Sequence, residues 1–210
     1  MIRAIAFDWG GVFTDGTFDA AAVRALADAS GVDAATLEGP YLEAMAPFEE
    51  GRFDLAELHR RLEAAVALGL EPNAFRATFL GAIPERPAMI DLLDAIPDHY
   101  TVGVLSNNVP ELCDLVRDDP RMARVEHWVF SNEIHVRKPD PRAYEALERA
   151  LGVPADATVF VDDAARNVDA ARAYGLHPVH LPDLATFLDG WRTQVPDVPI
   201  PASLREAAGA

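Results

Sequence analysis

Asp8 closes the apolar run Ile2-Arg3-Ala4-Ile5-Ala6-Phe7 and is followed at once by Trp9-Gly10-Gly11. A buried strand that ends in a carboxylate, with two glycines behind it, delivers that carboxylate to a place where backbone must approach something closely. We read Asp8 as a nucleophile, although an Asp before glycine also opens turns. Three later strand-like runs end in residues suited to the same chemistry: Ser106-Asn107-Asn108, the Arg137-Lys138 segment, and Asp162-Asp163. Asp8, Asp162 and Asp163 brought together repel one another unless a cation holds them, and oxygen-only ligands favour a hard ion such as Mg²⁺. A lysine, a hydroxyl and amides beside them suit a phosphoryl group that bridges the metal and a cationic donor. Each piece has a plainer reading: Ser106-Asn107-Asn108 and Asp162-Asp163 can cap helices, and Lys138 can be a solvated loop charge. Their occurrence together at successive strand ends is what capping does not explain.

The elements that must position these residues follow from periodicity. Residues 2–8 read as the first strand, and Asp15-Gly16 within residues 13–18 favours a tight hairpin that would flank Asp8 as a flap. From about residue 19 to 83 the pattern is helical, most clearly where Asp54 as N-cap and Glu57 open a helix with Leu55, Leu58, Leu62 and Val66 on one face and Gly69 as its stop. After Pro84 helix and strand alternate. Residues 100–105, 127–130, 158–161 and 176–181 read as strands, and the helical stretches between them include Pro139 to Leu151 and Ala164 to Tyr174. Strands separated by helical crossovers imply an α/β protein with a parallel sheet and helices on both faces, carrying a small helical insertion. In such a sheet ligands bind at the carboxyl ends of the strands. The expected division is a core of 1–18 and 84–195, a helical insertion of 19–83, and a flexible tail of 196–210, where three prolines and small residues predominate.

Composition narrows the partners. The chain has 210 residues with 34 acidic against 18 basic, a formal charge of -16, so its field repels nucleic acid and anionic lipid while a small anion can still be drawn in by local donors. Cys113 is the only cysteine, which excludes an intramolecular disulfide and fits a reducing compartment. The chain opens on no charged-then-apolar leader and holds no apolar run near ~18 residues, so the expectation is a soluble, cytoplasmic monomer or homodimer. His177 and His180 point to opposite faces of their strand and do not share a metal. Trp9 either packs in the core or faces the pocket and stacks on a substrate ring.

The four stretches resemble, in order, the motifs of the haloacid dehalogenase superfamily: Phe7-Asp8-Trp9-Gly10-Gly11-Val12, Leu105-Ser106-Asn107, Arg137-Lys138-Pro139-Asp140-Pro141, and Val159-Phe160-Val161-Asp162-Asp163 with Asn167. The resemblance covers roughly residues 2–190 and implies a Rossmann-like core. The helical insertion is similar to the cap that closes over the site in one branch, and Glu49-Glu50-Gly51-Arg52 to a stretch seen there. The chain is similar in particular to phosphatases of glucose 1-phosphate and to the phosphatase domain of soluble epoxide hydrolases. The resemblance implies that Asp8 attacks phosphorus, and that Mg²⁺ is held by Asp8, the Gly10 carbonyl and Asp163, with Asp162 and Asn167 placing its waters. It further implies that Ser106, the amide of Asn107 and Lys138 hold the phosphoryl oxygens, with Asn108 contributing to the same pocket. One position departs from the pattern: Gly10 stands where these phosphatases usually carry a second aspartate as general acid and base. The expected activity is that of a Mg²⁺-dependent phosphomonoesterase on a small sugar phosphate or related metabolite. The alternatives are a non-catalytic phosphate-binding or scaffold protein and a 2-haloacid dehalogenase. The last resembles Ser-Asn where this chain has Asp162-Asp163.

Overall fold

The computed structural model describes residues 1–82 and 85–209. In chain order the elements are β1 (Ala4–Phe7), α1 (Phe18–Ser30), α2 (Ala34–Glu49), α3 (Leu55–Val66), α4 (Pro72–Gly81), α5 (Pro87–Asp94), β2 (Thr101–Ser106), α6 (Pro110–Arg117), β3 (His127–Phe130), α7 (Ser131–Ile134), α8 (Pro141–Leu151), β4 (Thr158–Asp162), α9 (Ala165–Tyr174), β5 (His177–His180), α10 (Leu184–Gln194) and α11 (Ala202–Ala207). The strands form a parallel sheet of order β3-β2-β1-β4-β5, as the alternating pattern requires.

The sheet is buried on both faces, and strand alternation sorts β1 between them. Ile5 and Phe7 join Val102, Val104, Val159 and Val161 beneath Met89, Leu92, Leu93 and Trp191. Ala4 and Ala6 face the other way, toward Tyr144, Leu147 and Phe160. Small residues on that side let α8 and α9 lie close. Each fully buried Phe, Leu or Val contributes about 1.5–3 kcal/mol against exposure, so β1 is held in the sheet by packing and Asp8 is fixed at its end.

The insertion is a four-helix cap with its own apolar centre of Leu26, Leu37, Tyr41, Phe48, Leu58, Leu62, Phe75 and Phe79. Asp54 caps α3 as its spacing predicts, accepting from the Glu57 amide at 2.8 Å. The helix stops at Ala67 in the left-handed region, before Gly69 is reached. Val109 and Leu112 of the core complete the cap's apolar centre, so the two parts share packing. At the end of α2, the Ser131 hydroxyl donates to the Glu49 carbonyl at 2.5 Å and the His135 ring to the Glu50 carbonyl at 2.9 Å. Gly51 follows at φ +70, where an added Cβ would lie 2.6 Å from the Asn132 carbonyl oxygen. Only glycine permits this approach of cap to core. The return point of the cap, residues 83 and 84, lies outside the described residues.

Two expectations are corrected. Residues 13–18 form no hairpin: Thr14 pairs instead with Glu85, and the Arg86 amide donates to the Phe13 carbonyl at 2.8 Å. Thr17 has already become the N-cap of α1, which leaves no returning strand after Gly16. Nor is 196–210 a loose tail. Val198 and Leu204 are buried, α11 lies against α5, and Ser203 bonds to Asp91 at 2.6 Å. A few apolar anchors separated by proline suffice to dock a segment whose composition alone reads as loosely held. Leu204→Ala should therefore cost about 2–5 kcal/mol in urea unfolding. A loss below about 0.5 kcal/mol, the level of an ordinary surface change, would mean that the tail is not part of the folded core.

Candidate active site

Because β1 lies between β2 and β4, the carboxyl ends of those strands stand side by side and place Asp8, Ser106 and Asp162 along one edge. Lys138 reaches in from the loop after α7. Its ammonium is fully buried, 2.8 Å from Asp8 Oδ1 and 2.7 Å from Asp162 Oδ2. Asn107 fixes that loop, accepting from the Lys138 amide at 2.8 Å and donating to its carbonyl at 3.1 Å. Burial pulls the Lys138 pKa down, but Asp162 and Asp8 outweigh it and hold the ammonium above its ordinary value.

Asp162 and Asp163 are adjacent yet differently placed. Both Asp162 oxygens are engaged, Oδ2 by Lys138 and Asn167 and Oδ1 by Asn167 and the Ala164 amide. Asp163 lines the cavity instead, packed so closely on Gly11 that an added Cβ there would lie 2.1 Å from Asp163 Oδ2. Gly11 also has φ +73, a second reason for glycine. Its loop is braced by the Thr14 hydroxyl, which accepts from the Gly11 amide at 2.8 Å, and by Arg86, which donates to the Gly11 carbonyl at 2.7 Å.

Asp8, Asp162 and Asp163 each offer an oxygen within 4.8 Å of the others'. Three carboxylates against one ammonium leave an excess of negative charge that suits a divalent cation. The electrostatics carry the same message. Burial raises the Asp8 carboxyl from its ordinary 3.8 to about 7, with Lys138 opposing and Asp162 adding to the rise. Burial also raises Asp163. Asn167 Oδ1 is buried and accepts no hydrogen bond among the described residues, as a group awaiting a metal-bound water would be. The donor set therefore fits Mg²⁺, with Asp163 and the second oxygen of Asp8, Oδ1 being taken by Lys138 and the Trp9 amide, as the carboxylate groups that would hold it. Asp162, expected to belong to the metal-binding cluster and to place the ion's waters, is instead occupied on both oxygens by Lys138, Asn167 and the Ala164 amide.

Beside this cluster lies a cavity of about 150 Å³. Asp8, Trp9, Gly10, Asn107, Asn108 and Asp163 line its core side, and Phe18, Asp19, Met45 and Glu49 its cap side. Trp9 packs in the core and also touches the cavity. Asn108 Nδ2 and Arg137 Nε are buried donors without partners among the described residues, and both residues line the cavity. Such orphans cost about 1–3 kcal/mol each unless a ligand accepts from them. Ser106 is buried and its side chain does not line the cavity. Glu49 is paired with Arg137, and burial raises its carboxyl to about 7. The residues missed by sequence are Ser131, which holds the cap, and Asp19, whose Oδ1 accepts from the Tyr41 hydroxyl at 3.2 Å. Only the packing of α1 against α2 joins that pair, and no local pattern signals it. His180 donates to the Asp163 carbonyl at 3.0 Å and His177 to that of Asp156, and neither belongs to the carboxylate cluster.

Comparison with known proteins gives a consistent outline. Residues 2–175 match the family model for haloacid dehalogenase-like hydrolases. The sesquiterpene phosphatase astK of Aspergillus oryzae is 28% identical over 68% of this chain and 74% of its own. The (S)-2-haloacid dehalogenase of Pseudomonas sp. strain YL is 33% identical over 51% of this chain and 49% of its own. Among solved structures, a Bacteroides thetaiotaomicron enzyme in complex with magnesium and inorganic phosphate superposes with a TM-score of 0.72 at 19% identity, over 86% of this chain and 94% of that one. Among the described residues no helix is long and apolar enough to cross a membrane.

The raised Asp8 carboxyl has a measurable consequence. Between about 3.8 and about 7 the folded, metal-free protein keeps a proton that the unfolded chain releases, so this contribution to stability is full below that window and lost as pH rises through it. A divalent cation removes the penalty by compensating the ionised carboxylates. Mg²⁺ should therefore raise the Tm more at pH 8 than at pH 5, by several degrees at about 2–4 °C per kcal/mol. Differential scanning fluorimetry against EDTA reads the effect. Equal shifts at both pH values, or a shift unaltered in Asp8→Asn, would place the ion elsewhere.

Proposed function

The chain belongs to the haloacid dehalogenase-like hydrolases, and from that premise we propose that it is a Mg²⁺-dependent phosphomonoesterase that works through an aspartyl-phosphate on Asp8. The observation that carries this reading is the buried Lys138 ammonium between Asp8 and Asp162, with Asp163 completing a three-carboxylate cluster. Hydrolysis of a haloacid without metal would leave that cluster's excess charge uncompensated. The phosphatase activity in the name of astK, and the magnesium and phosphate bound to the Bacteroides enzyme, lend further support.

Asp8 supplies the attacking oxygen, which forms a bond to phosphorus as the leaving oxygen departs in line. Lys138 holds its charge beside that oxygen and the incoming phosphoryl group, and Asp162 keeps the ammonium aimed. Asn108 Nδ2 is a preplaced donor for a phosphoryl oxygen. Bound at Asp8, Asp163 and the Gly10 carbonyl, Mg²⁺ would neutralise phosphoryl charge and orient the group for displacement. Water then hydrolyses the phosphoenzyme and frees Asp8.

The cap side of the cavity indicates the substrate class. Glu49 pairs with Arg137, and Arg166 is the remaining cation in the wall, so the cavity offers hydrogen-bonding groups of both kinds rather than a cluster of free positive charge for a second anionic group. The volume of about 150 Å³ lies below the range of about 300–1,000 Å³ common for drug-sized ligands. A small, neutral, hydroxyl-bearing leaving group fits, as in a sugar phosphate or related metabolite.

A screen of phosphorylated metabolites with Mg²⁺ and with EDTA tests the reading. Turnover should require the metal and should vanish in Asp8→Asn. More than about a tenth of wild-type activity in that variant, a difference of only about 1.4 kcal/mol in barrier, would remove Asp8 as nucleophile. Phosphate binding without turnover would favour the scaffold that Gly10 suggests, and halide release in EDTA the dehalogenase.

A further inference from the structure

Gly10 leaves the loop after the nucleophile without a carboxyl, so the proton required by the departing oxygen must come from elsewhere. Three acidic side chains outside the metal cluster come into question. Asp15 lies nearest in sequence, but its side chain is 79% exposed, pairs with Arg86 and does not line the cavity. Glu49 lines the cavity but is held by Arg137. Asp19 lines the same cavity as Asp8 from the first turn of α1, and the Tyr41 hydroxyl donates to its Oδ1 at 3.2 Å. Its Oδ2 makes no hydrogen bond with any described residue.

We infer that Asp19, supplied by the cap, is the general acid and base of this site in place of the residue missing at position 10. The inference rests on the phosphatase reading above. In the first half-reaction Asp8 forms its bond to phosphorus, the bond from phosphorus to the leaving oxygen breaks, and the proton on Asp19 Oδ2 passes to that oxygen. The alcohol leaves and Asp19 is a carboxylate. In the second, Asp19 takes a proton from water as the water oxygen bonds to phosphorus and the Asp8–phosphorus bond breaks, which restores both side chains and releases inorganic phosphate. Water attacks from the side the alcohol vacated, so one group serves both steps.

The surroundings suit the role. Tyr41 and Glu49 from α2, Arg137 from the loop before α8 and Arg166 from α9 are the titratable and charged groups around Asp19. Burial raises its carboxyl above the ordinary value, against the pull of the Tyr41 hydrogen bond and the two arginines. The Tyr41 phenol is itself pushed well up by burial and stays a neutral donor, which reserves Oδ1 as acceptor and leaves Oδ2 to carry the proton. A cap that supplies the acid also couples closure to chemistry, because Asp19 reaches the leaving oxygen only when α1 lies over the site.

The test measures kcat/KM with Mg²⁺ for aryl and alkyl phosphates of increasing leaving-group pKa. The proteins are the wild type, Asp19→Asn, Glu49→Gln, Gly10→Asp and the Asp19→Asn/Gly10→Asp double variant. Asp19→Asn keeps an acceptor for Tyr41, and an unchanged Tm verifies its fold. The wild type should show a shallow dependence. Asp19→Asn should lose about 10²–10⁴ on alkyl phosphates and far less on 4-nitrophenyl phosphate, so its dependence steepens. The double variant should recover at least about tenfold of the alkyl loss, since a Cβ at Gly10 meets nothing within 4 Å. Recovery by a carboxyl on another element is something a merely structural Asp19 would not allow. An equal loss on every substrate without rescue would overturn the inference. So would a steep wild-type dependence that Asp19→Asn leaves alone, or steepening confined to Glu49→Gln. A wild type that turns over no member of the series would instead sink the phosphatase reading, and the inference with it.

Discussion

The structure depends on one buried cation. Lys138 has no contact with solvent and sits between two carboxylates, an arrangement whose desolvation is tolerable only while all three partners are in place. Removing one member of a buried ion pair typically costs about 3–5 kcal/mol, because the survivor is left charged and dry. That constraint reaches far into the fold. It requires β1 and β4 to be neighbours, so that Asp8 and Asp162 face the same ammonium, and it requires the loop after α7 to be held over both. The Asn107 side chain performs that second task through two bonds to the Lys138 backbone. A residue expected to bind phosphate thus uses its side chain to position the lysine.

The same ammonium does not balance the cluster. Asp163 is left over, and so are the unpaired polar atoms of Asn108, Arg137 and Asn167 around the cavity. An isolated fold would gain stability by pairing or removing such groups. Their concentration at one place is what distinguishes a site built for a ligand from a packing defect, and the raised carboxyl of Asp8 is its electrostatic trace. A cation and an anion bound together would return the stability withheld here.

The cap is held by contacts of a different kind. Ser131, His135 and the close approach at Gly51 fasten the end of α2 to the core through backbone carbonyls, and the Glu49–Arg137 pair adds a charged contact at the cavity wall. Arg137 directly precedes Lys138, so the loop that delivers the lysine also meets the cap. Attachment of the cap and assembly of the charged cluster therefore share a segment.

Much of this was legible in the chain. The strands and most helices are written in short-range periodicity, and a parallel sheet fixes where strand ends meet, so Asp8, Lys138 and Asp163 could be placed together before any coordinates. Local capping was readable too, as at Asp54. What could not be read are outcomes settled between distant segments. Asp162 and Asp163 look equivalent as neighbours in sequence, yet backbone direction turns one toward Lys138 and the other toward the cavity. Asp15-Gly16 carries the signal of a hairpin, but Glu85 and Arg86 compete successfully for its backbone. The tail reads as loosely held because of its three prolines and its end in small residues, and only packing of α11 against α5 gives Leu204 a place to be buried. Asp19 meets Tyr41 because two cap helices pack, an encounter with no local signature. Sequence alone determined the elements and the chemistry at their ends, since both are encoded in windows of a few residues. Tertiary structure decided which neighbour each charged group would face, since desolvation and pairing energies exist only once distant segments have excluded water between them.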